Sequence, residues 1–345
     1  MATNLILDSG AFSAWTKQKE VNLDDYADFA LEYLDCFNYV VNLDVIPGEW
    51  KSKGLTKEDI DSSAQEGWRN YKRLLRKGIP REKLVHVFHQ KEDWEWLHKM
   101  MGEMDYIGIS PANDHSTDSK IQWLNDCMRR VTNQDGYPII KFHGFGITSI
   151  RAIINFPWYS VDSASWVLFS RYGTILVPKD DDPHYKTSPL TIFVGQGSES
   201  RRQAGKHFDQ FQPNYQNYIR SYIESQGFTF EQVSEDHRQR DLLNLCYYLN
   251  LQKERPVWPW PYKKLNHHLL HGDNRPTKHI DWEQERFKLY FAGNFPQMKD
   301  PALERECRQF VLDRHWEYNR LGSFYFRKDI QTLVDMKKEE LENDN

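Results

Sequence analysis

Short apolar runs alternate with longer amphipathic, charged segments up to about residue 195, and this alternation limits the folds open to the chain. NLILD is followed by the helix-like DDYADFALEYLDCF, YVVNLDV by EGWRNYKRLLRKG, and LVHVFH by EDWEWLHKMM. The pattern continues through YIGIS, SKIQWLNDCMRRV, PIIKFHG, SIRAIINF and YSVDSAS to the more strand-like GTILVP and LTIFVG. Repeated βα units of this kind predict a parallel sheet, and the fold we expect is a closed (β/α)8 barrel of the TIM type.

The pattern changes near residue 197, where polar segments such as EDHRQRDLLNLCYYLNLQKERP read as helices and are broken by the proline- and tryptophan-rich PVWPWPYKK. We therefore predict two domains. Residues 1–196 would form a TIM-barrel catalytic core, and residues 197–345 a predominantly helical, nucleic-acid-binding region. The charged end of the chain, from Lys337 to Asn345, lacks apolar periodicity and is expected to fray.

Composition excludes several classes of protein. Aromatic residues reach 14%, with 12 Trp, which is far from the composition of a disordered chain. The net charge of -5 lacks the global positive charge of non-specific nucleic-acid binders, so a local patch would have to bind a polynucleotide. No apolar run approaches the roughly 20 residues that span a bilayer, so no membrane role is expected. Four scattered cysteines and no hydrophobic leader after Met1 favour a reduced, cytoplasmic protein without a cysteine zinc site.

Polar residues follow several of the predicted strands, at the point where each strand ends. In a parallel barrel these ends gather at one face, where active sites are built. A single acid there is commonplace, because Asp also caps helices and turns. Several at successive strand ends indicate a functional site, and here they are Asp8, Asp44, Gln90, Ser110, His143 with Gly144, and Asp162.

The order and the amino-acid sequences of these segments resemble the motifs of the tRNA-guanine transglycosylase family over roughly residues 4 to 170. DSGAF is similar to the family's Asp-Ser-Gly-Gly-Phe motif, NLDVIPG to its Leu-Asp-Glu-Cys motif and VFHQ to its Val-Gln-Gly motif. IGIS and HGFGIT resemble its two glycine-bearing strand ends, and SVDSASW falls where the family places its nucleophilic Asp.

The chain departs from that pattern at three points. Ala11 replaces the second glycine, Lys91 and Glu92 replace the Gly-Gly after Gln90, and the family's cysteine-rich zinc element is absent. A shortened chain without the zinc element resembles the DNA-guanine transglycosylases of phages and bacteria. Those enzymes exchange guanine in DNA for a 7-deazaguanine. The resemblance is greatest to that subgroup.

The resemblance implies that Asp162 is the nucleophile and Asp8 the general acid and base. Base exchange breaks an N-glycosidic bond while the sugar is held, and a carboxylate that forms a covalent glycosyl-enzyme does so with two displacements that preserve the β-anomer. Asp8 would move the proton between the departing guanine and the entering base. Asp44 would accept hydrogen bonds from the N1–H and 2-amino edge of a guanine-like ring, a pattern that adenine and pyrimidines do not supply.

Further substrate contacts are expected around these aspartates. Gln90 and the backbone of Gly108 and Ile109 would read the O6 side of the base, Ser9 would add a hydrogen bond, and Phe12 or Phe145 would stack on the purine unless these rings pack in the core. The strand ends also provide Ser110, His143, Gly144 and Gly146. No acid-histidine spacing among His86, His89, His115 and His143 is diagnostic of a metal, and none is predicted.

Basic and aromatic residues interleave only in the second half of the chain, a mixture that suits phosphate contact and stacking on an extruded base. Solvated helix faces and a packed Pro/Trp segment are the alternative reading. The cluster His267, His268 and His271 reads as polar surface or phosphate contact rather than zinc. The candidate DNA contacts are Arg201, Arg202, Lys206, Arg238, Arg240, Trp258, Trp260, Lys263 and Lys264.

The resemblance implies an enzyme that replaces guanine in DNA by a 7-deazaguanine such as 7-cyano-7-deazaguanine, on single strands or on a flipped base. It would need no organic cofactor, because the energy of the glycosidic bond is conserved in the exchange. It would act in the cytoplasm, or in the host cytoplasm if it is phage-encoded. Three alternatives remain open, namely a tRNA substrate, a barrel that only binds nucleic acid or a partner subunit, and a hydrolytic N-glycosidase.

Overall fold

A closed barrel of eight parallel strands forms the centre of the protein. The computed structural model describes residues 3–48, 54–112, 115–147, 149–197, 205–263, 275–293 and 301–343. Around the barrel the strands follow the order β1-β10-β9-β6-β5-β4-β3-β2. They are β1 (Thr3–Asp8), β2 (Tyr39–Val41), β3 (Leu84–His89), β4 (Tyr106–Ser110), β5 (Lys141–Gly144), β6 (Ser160–Ser163), β9 (Lys288–Ala292) and β10 (Tyr318–Ser323). The predicted (β/α)8 barrel is therefore confirmed.

Helices follow each barrel strand, as the βα pattern requires. The long α3 begins at a capping box between Thr56 and Asp59 and ends at Gly78, whose φ of 110° favours glycine. After β1 to β6 come α1 (Ala11–Thr16), α2 (Leu23–Glu32), α3 (Lys57–Lys77), α4 (Trp94–Glu103), α5 (Thr117–Val131), α6 (Ile150–Asn155) and α7 (Ser165–Arg171). The later helices are α8 (Pro213–Ser225), α9 (Phe230–Glu235), α10 (His237–Lys253), α11 (Pro301–Asp313) and α12 (Arg327–Asn343). Within the described ranges, no helix is both long and apolar enough to cross a bilayer.

Side chains alternate between the inside of the barrel and the layer beneath the helices. Ile6, Val87 and Leu321 belong to a small buried cluster inside the barrel. Leu5 and Leu7, which flank Ile6, instead join the large core formed with the helices. This period of two, set by the pleat of each strand, decides which strand-end side chains face the mouth of the barrel.

The crossover between β6 and β9 contains a large insertion. GTILVP and LTIFVG, expected as late barrel units, instead pair with each other as an antiparallel hairpin of β7 (Thr174–Val177) and β8 (Leu190–Phe193) outside the barrel. Helix α10 is the centre of this insertion and is buried around most of its circumference. A helix that is covered on all sides shows no amphipathic stripe, which explains why its sequence looked merely polar and helical.

The predicted division after residue 196 is wrong for the barrel. Strands β9 and β10 and helices α11 and α12 come from the predicted helical region, and β10 closes the barrel against β1 over six register pairs, from Thr3 with Tyr318 to Asp8 with Ser323. The remainder of that region is largely helical. The barrel core therefore draws on both ends of the chain.

The amino-terminal end of the barrel is covered by the proline- and tryptophan-rich segment. Trp258 is fully buried and packs with Val85, Tyr106 and Tyr159, which lie at or near the starts of their strands. Its indole Nε1 donates to the backbone oxygen of Pro157, 3.0 Å away. This segment therefore lies at the end of the barrel opposite to Asp8.

Candidate functional site

Three aspartates from three different strands meet at the carboxyl end of the barrel. Asp8 is the last residue of β1, Asp44 follows β2 by three residues, and Asp162 lies within the four-residue β6. Around the barrel β1 and β6 are separated by β10 and β9, so Asp8 and Asp162 lie on different sides of the mouth. Both Asp44 and Asp162 are near enough to raise the pKa of Asp8 by their charges. The three predicted carboxylates are therefore brought together.

Asp8 titrates near neutrality. Burial raises its pKa first, and the charges of Asp162 and Asp44 raise it further, while hydrogen bonds from the backbone N–H groups of Gly10 and Ser9 lower it, with a result of about 7. A carboxyl group with this pKa populates both its protonated and its ionised form at neutral pH. It can therefore both donate and accept a proton in one reaction cycle.

Asp162 is held as an acceptor by β5 and the loop that follows it. Its Oδ1 accepts a 2.8 Å hydrogen bond from the backbone N–H of Gly146 and lies 3.3 Å from Nε2 of His143. Gly146 has a φ of 60°, in the left-handed region that favours glycine. Two donors directed at one oxygen stabilise a charged carboxylate and fix its orientation.

His143 is only 1% exposed and contacts Asp162, so its burial gives no support to the predicted role as a direct substrate contact. Its Nδ1 lies 2.6 Å from Oγ of Ser160 and 3.3 Å from Oη of Tyr106, and those two oxygens are 2.5 Å apart. A buried column of hydrogen bonds therefore runs down the barrel from the carboxylate. The strand pleat explains it, because His143 and Ser160 both point into the barrel.

Asp44 is paired with a histidine that sequence reasoning set aside. Its Oδ2 lies 3.2 Å from Nε2 of His89, whose Nδ1 lies 3.0 Å from Oε1 of Glu92. Oδ1 of Asp44 is buried and receives no hydrogen bond among the described residues. Burial lowers the pKa of His89, but the charges of Asp44 and Glu92 and their hydrogen bonds raise it well above its ordinary value. The mouth thus contains a charged array that the motifs did not predict.

Gln90 points away from the mouth and holds the loop after β4. Its Oε1 accepts a 3.0 Å hydrogen bond from the backbone N–H of Ala112, and its Nε2 lies 3.0 Å from Nδ1 of His115. Because Val85, Val87 and His89 share one face of β3, the inward position belongs to His89. That parity in LVHVFHQ was the signal that could have identified His89, and the O6-reading role of Gln90 has no support from this geometry.

The glycines on β4 and β5 have packing roles. A Cβ on Gly108 would lie 2.5 Å from the ring of Phe145, so that ring fills the space next to Gly108 where the resemblance implies a purine. A Cβ on Gly144 would meet Ile147 at 2.6 Å and Trp158 at 3.0 Å. The side chain of Ile109 is fully buried in the core shared with the helices. Close packing therefore explains why Gly108 and Gly144 have no side chain.

Three further predicted contacts differ in exposure. Phe12 is 48% exposed on α1, four residues after Asp8, with its ring centroid 5.9 Å from that of Trp15. Ser110 ends β4 and is half-buried, with its backbone oxygen accepting from the N–H of Gln90 at 3.0 Å. Ser9 is buried and its Oγ accepts a 3.4 Å hydrogen bond from the N–H of Ala11, so it serves the turn. Stacking on the base by the exposed Phe12 or the half-buried Phe145 stays a prediction.

The predicted DNA contacts divide by burial. Arg240 is only 7% exposed and donates to the backbone oxygens of Ser170, Val233 and Ser234, so it holds the insertion together and cannot contact phosphate. Trp258 is likewise excluded by its burial at the opposite end of the barrel. Trp260 is half-buried against the core, and Lys206, Arg238 and Lys263 are exposed. Outside the described residues lie Arg201, Arg202, Lys264, His267, His268 and His271.

Among the residues that the structure describes, no group of three or more His, Cys, Asp or Glu side chains is arranged to hold a metal ion. Comparison of the chain with protein-family models, with curated proteins and with solved structures gives no match. The chemistry of this site therefore depends on three acidic groups. They are a carboxylate fixed by two donors, a carboxyl group that titrates near neutrality, and a third carboxylate with one oxygen unpaired.

Proposed function

We propose that the protein is a base-exchanging transglycosylase that replaces guanine in DNA by a 7-deazaguanine. The observation that carries the proposal is the convergence of Asp8, Asp44 and Asp162 at the carboxyl end of one parallel barrel, where their charges interact. Each carboxylate has a different environment, and environments that separate the behaviour of neighbouring acids support separate chemical roles. The order of motifs along the chain supports the same assignment.

In the first half of the reaction a carboxylate oxygen of Asp162 attacks C1′ of the deoxyribose. The bond between C1′ and N9 breaks, its electron pair leaves with guanine, and Asp8 in its acid form gives the departing base a proton. The product is an ester between Asp162 and the sugar. Hydrogen bonds from Gly146 and His143 support this role because they fix the carboxylate before attack.

In the second half the ionised Asp8 takes the N9 proton of the entering base. The nitrogen then attacks C1′, the ester bond breaks, and Asp162 is released as a carboxylate. Asp8 ends protonated, so protons and charges balance over the cycle. A pKa of about 7 supports this shuttle, because neither protonation state is strongly disfavoured at neutral pH.

Base selection is assigned to Asp44. Its buried Oδ1 receives no donor among the described residues, and a guanine-type ring offers N1–H and 2-amino donors along one edge. A base without those donors would leave the oxygen buried and unpaired, at a cost of about 1–3 kcal/mol. This asymmetry supports guanine-like rings over adenine and pyrimidines.

The proposal is tested by incorporation of labelled guanine or 7-cyano-7-deazaguanine into duplex DNA, single-stranded DNA and tRNA. Asp162→Asn should abolish exchange, whereas Asp180→Asn, which changes an exposed aspartate of the loop between β7 and β8, should behave like the parent. Incorporation only into tRNA would move the substrate to RNA. Free guanine released without an added base would indicate hydrolysis, and DNA binding without exchange would indicate a non-catalytic barrel.

A further inference from the structure

Both ring nitrogens of His89 face carboxylate oxygens. Nε2 lies 3.2 Å from Oδ2 of Asp44, and Nδ1 lies 3.0 Å from Oε1 of Glu92. An ionised carboxylate accepts hydrogen bonds but does not donate them, so both contacts are satisfied only when the imidazole carries two protons. The geometry therefore describes an imidazolium between two carboxylates, in agreement with the raised pKa of this histidine.

A tight turn builds this arrangement at the end of β3. The N–H of Glu92 donates to the backbone oxygen of His89 at 3.2 Å, and the N–H of His89 donates to Oε2 of Glu92 at 3.2 Å. Lys91 occupies the turn with a φ of 97°, a conformation in which a side chain is strained. Both oxygens of Glu92 are thus directed at His89. The chain thus accepts backbone strain in the turn that orients this pair.

The chain of contacts from Glu92 through His89 to Asp44 ends at an unpaired oxygen of Asp44 at the mouth of the barrel. His89 engages Oδ2 of Asp44, while Oδ1 is buried and receives no hydrogen bond among the described residues. The side chain of Asp44 is 15% exposed while Oδ1 itself is buried, so a ring bound against this side chain would offer the oxygen its donors away from water. A carboxylate that is hydrogen-bonded through one oxygen cannot rotate freely, so its other oxygen is a fixed acceptor.

We propose that His89, oriented by Glu92, is a positioning residue that sets the base specificity of the site by directing Oδ1 of Asp44 at the N–H donors of a guanine-type ring. The inference rests on the proposed function and deepens it. It assigns discrimination to a fixed acceptor that rejects a ring with a donor missing from its edge. Hypoxanthine, which keeps N1–H but lacks the 2-amino group, is the sharpest probe.

Equilibrium binding of guanine and of hypoxanthine, measured beside steady-state exchange with each base, tests this role in the full-length protein. The variants are His89→Gln, Glu92→Gln and, as a matched control, His98→Gln on the exposed face of α4. We expect His89→Gln to weaken guanine binding about tenfold or more, hypoxanthine binding much less, and kcat by under about threefold. Glu92→Gln should lower the preference for guanine by a smaller factor, and His98→Gln should leave it unchanged.

An unchanged ratio of guanine to hypoxanthine affinity in both His89→Gln and Glu92→Gln would overturn the inference, as would a loss confined to kcat. If His89→Gln does not fold by circular dichroism, the ratio in Glu92→Gln decides. A parent protein that binds guanine with a His89-dependent preference but exchanges no base would refute the transglycosylase and leave this inference standing. Exchange that depends on Asp162 without any His89-dependent preference would refute the role of His89 and leave the transglycosylase standing.

Discussion

The backbone N–H of Gly146 donates a 2.8 Å hydrogen bond to Oδ1 of Asp162, so the loop after β5 holds a side chain of β6. His143 lies 3.3 Å from the same oxygen through its Nε2. Because Oδ1 already has two donors, Oδ2 is the oxygen we expect to attack the sugar. In the proposed mechanism, Gly146 and His143 would therefore orient the nucleophile.

Replacing His143 by Ala is expected to lower kcat about 10-fold to 100-fold with little change in KM. Hydrogen bonds to charged groups contribute about 1.5–3 kcal/mol, and this one orients the nucleophile rather than the substrate. Ser160→Ala, which removes one of the two partners of Nδ1, should have a smaller effect in the same direction. A rise in KM at constant kcat would contradict this role.

Asp8→Asn is expected to stabilise the protein at alkaline pH. Because the folded pKa of about 7 lies above the ordinary 3.8, the contribution of Asp8 to stability is fully present below pH 3.8 and is lost as the pH rises through 7. The advantage of Asn should therefore grow by on the order of 2 kcal/mol between pH 5 and pH 8. Urea denaturation at both pH values measures it.

Asp182 provides the control for that experiment. Burial raises the pKa of Asp182, but hydrogen bonds from the backbone N–H groups of Lys186 and Thr187 and from the Thr187 hydroxyl lower it below the ordinary 3.8. Asp182→Asn should therefore destabilise the protein at pH 5 and at pH 8. If the free energies of unfolding of Asp8→Asn and Asp182→Asn changed in parallel between pH 5 and pH 8, the assignment of a raised pKa to Asp8 would be contradicted.

Lys91→Gly is expected to stabilise the protein by about 0.5–1 kcal/mol. Glycine relieves the strain of a φ of 97°, about 1–2 kcal/mol, and this exceeds the entropy it adds to the unfolded chain. Lys186→Gly, in the exposed loop between β7 and β8, should destabilise by a similar amount because no strain is relieved there. Chemical denaturation measures the free energy of unfolding of both variants. A lower value for Lys91→Gly than for the parent would contradict the strain assigned to this position.

Glu285→Gln is expected to lower the stability of the amino-terminal end of the barrel at neutral pH. Burial raises the pKa of Glu285, but hydrogen bonds from Lys141 and Tyr159 and the charge of Lys288 lower it to about 2. Its contribution is therefore present above pH 4.5 and lost as the pH falls toward 2. We expect a loss of about 1–3 kcal/mol at pH 7 that shrinks below pH 4. An equal loss at pH 3 and pH 7 would contradict this.

The sequence predicted the barrel because periodicity and strand-end polarity are local signals. It misassigned β7 and β8, since GTILVP and LTIFVG have strand character wherever they pair, and it missed β9 and β10, which lie among helices. The choice between His89 and Gln90 depended on which face of β3 points inward. Burial of Arg240 and Trp258 depended on tertiary packing, which residue type alone does not disclose.

The strand that bears Asp8 is paired on one side with β10, whose residues lie more than 300 positions later in the chain. During synthesis β1 leaves the ribosome long before this partner does, and the N–H of Thr3 donates a 2.9 Å hydrogen bond to Oε1 of Glu340 in α12. Closure of the barrel, and with it of the mouth that contains Asp8, therefore waits until β10 has been synthesised. A nascent chain that stops before β10 carries Asp8, Asp44 and Asp162 in full, but has no closed barrel to assemble them in.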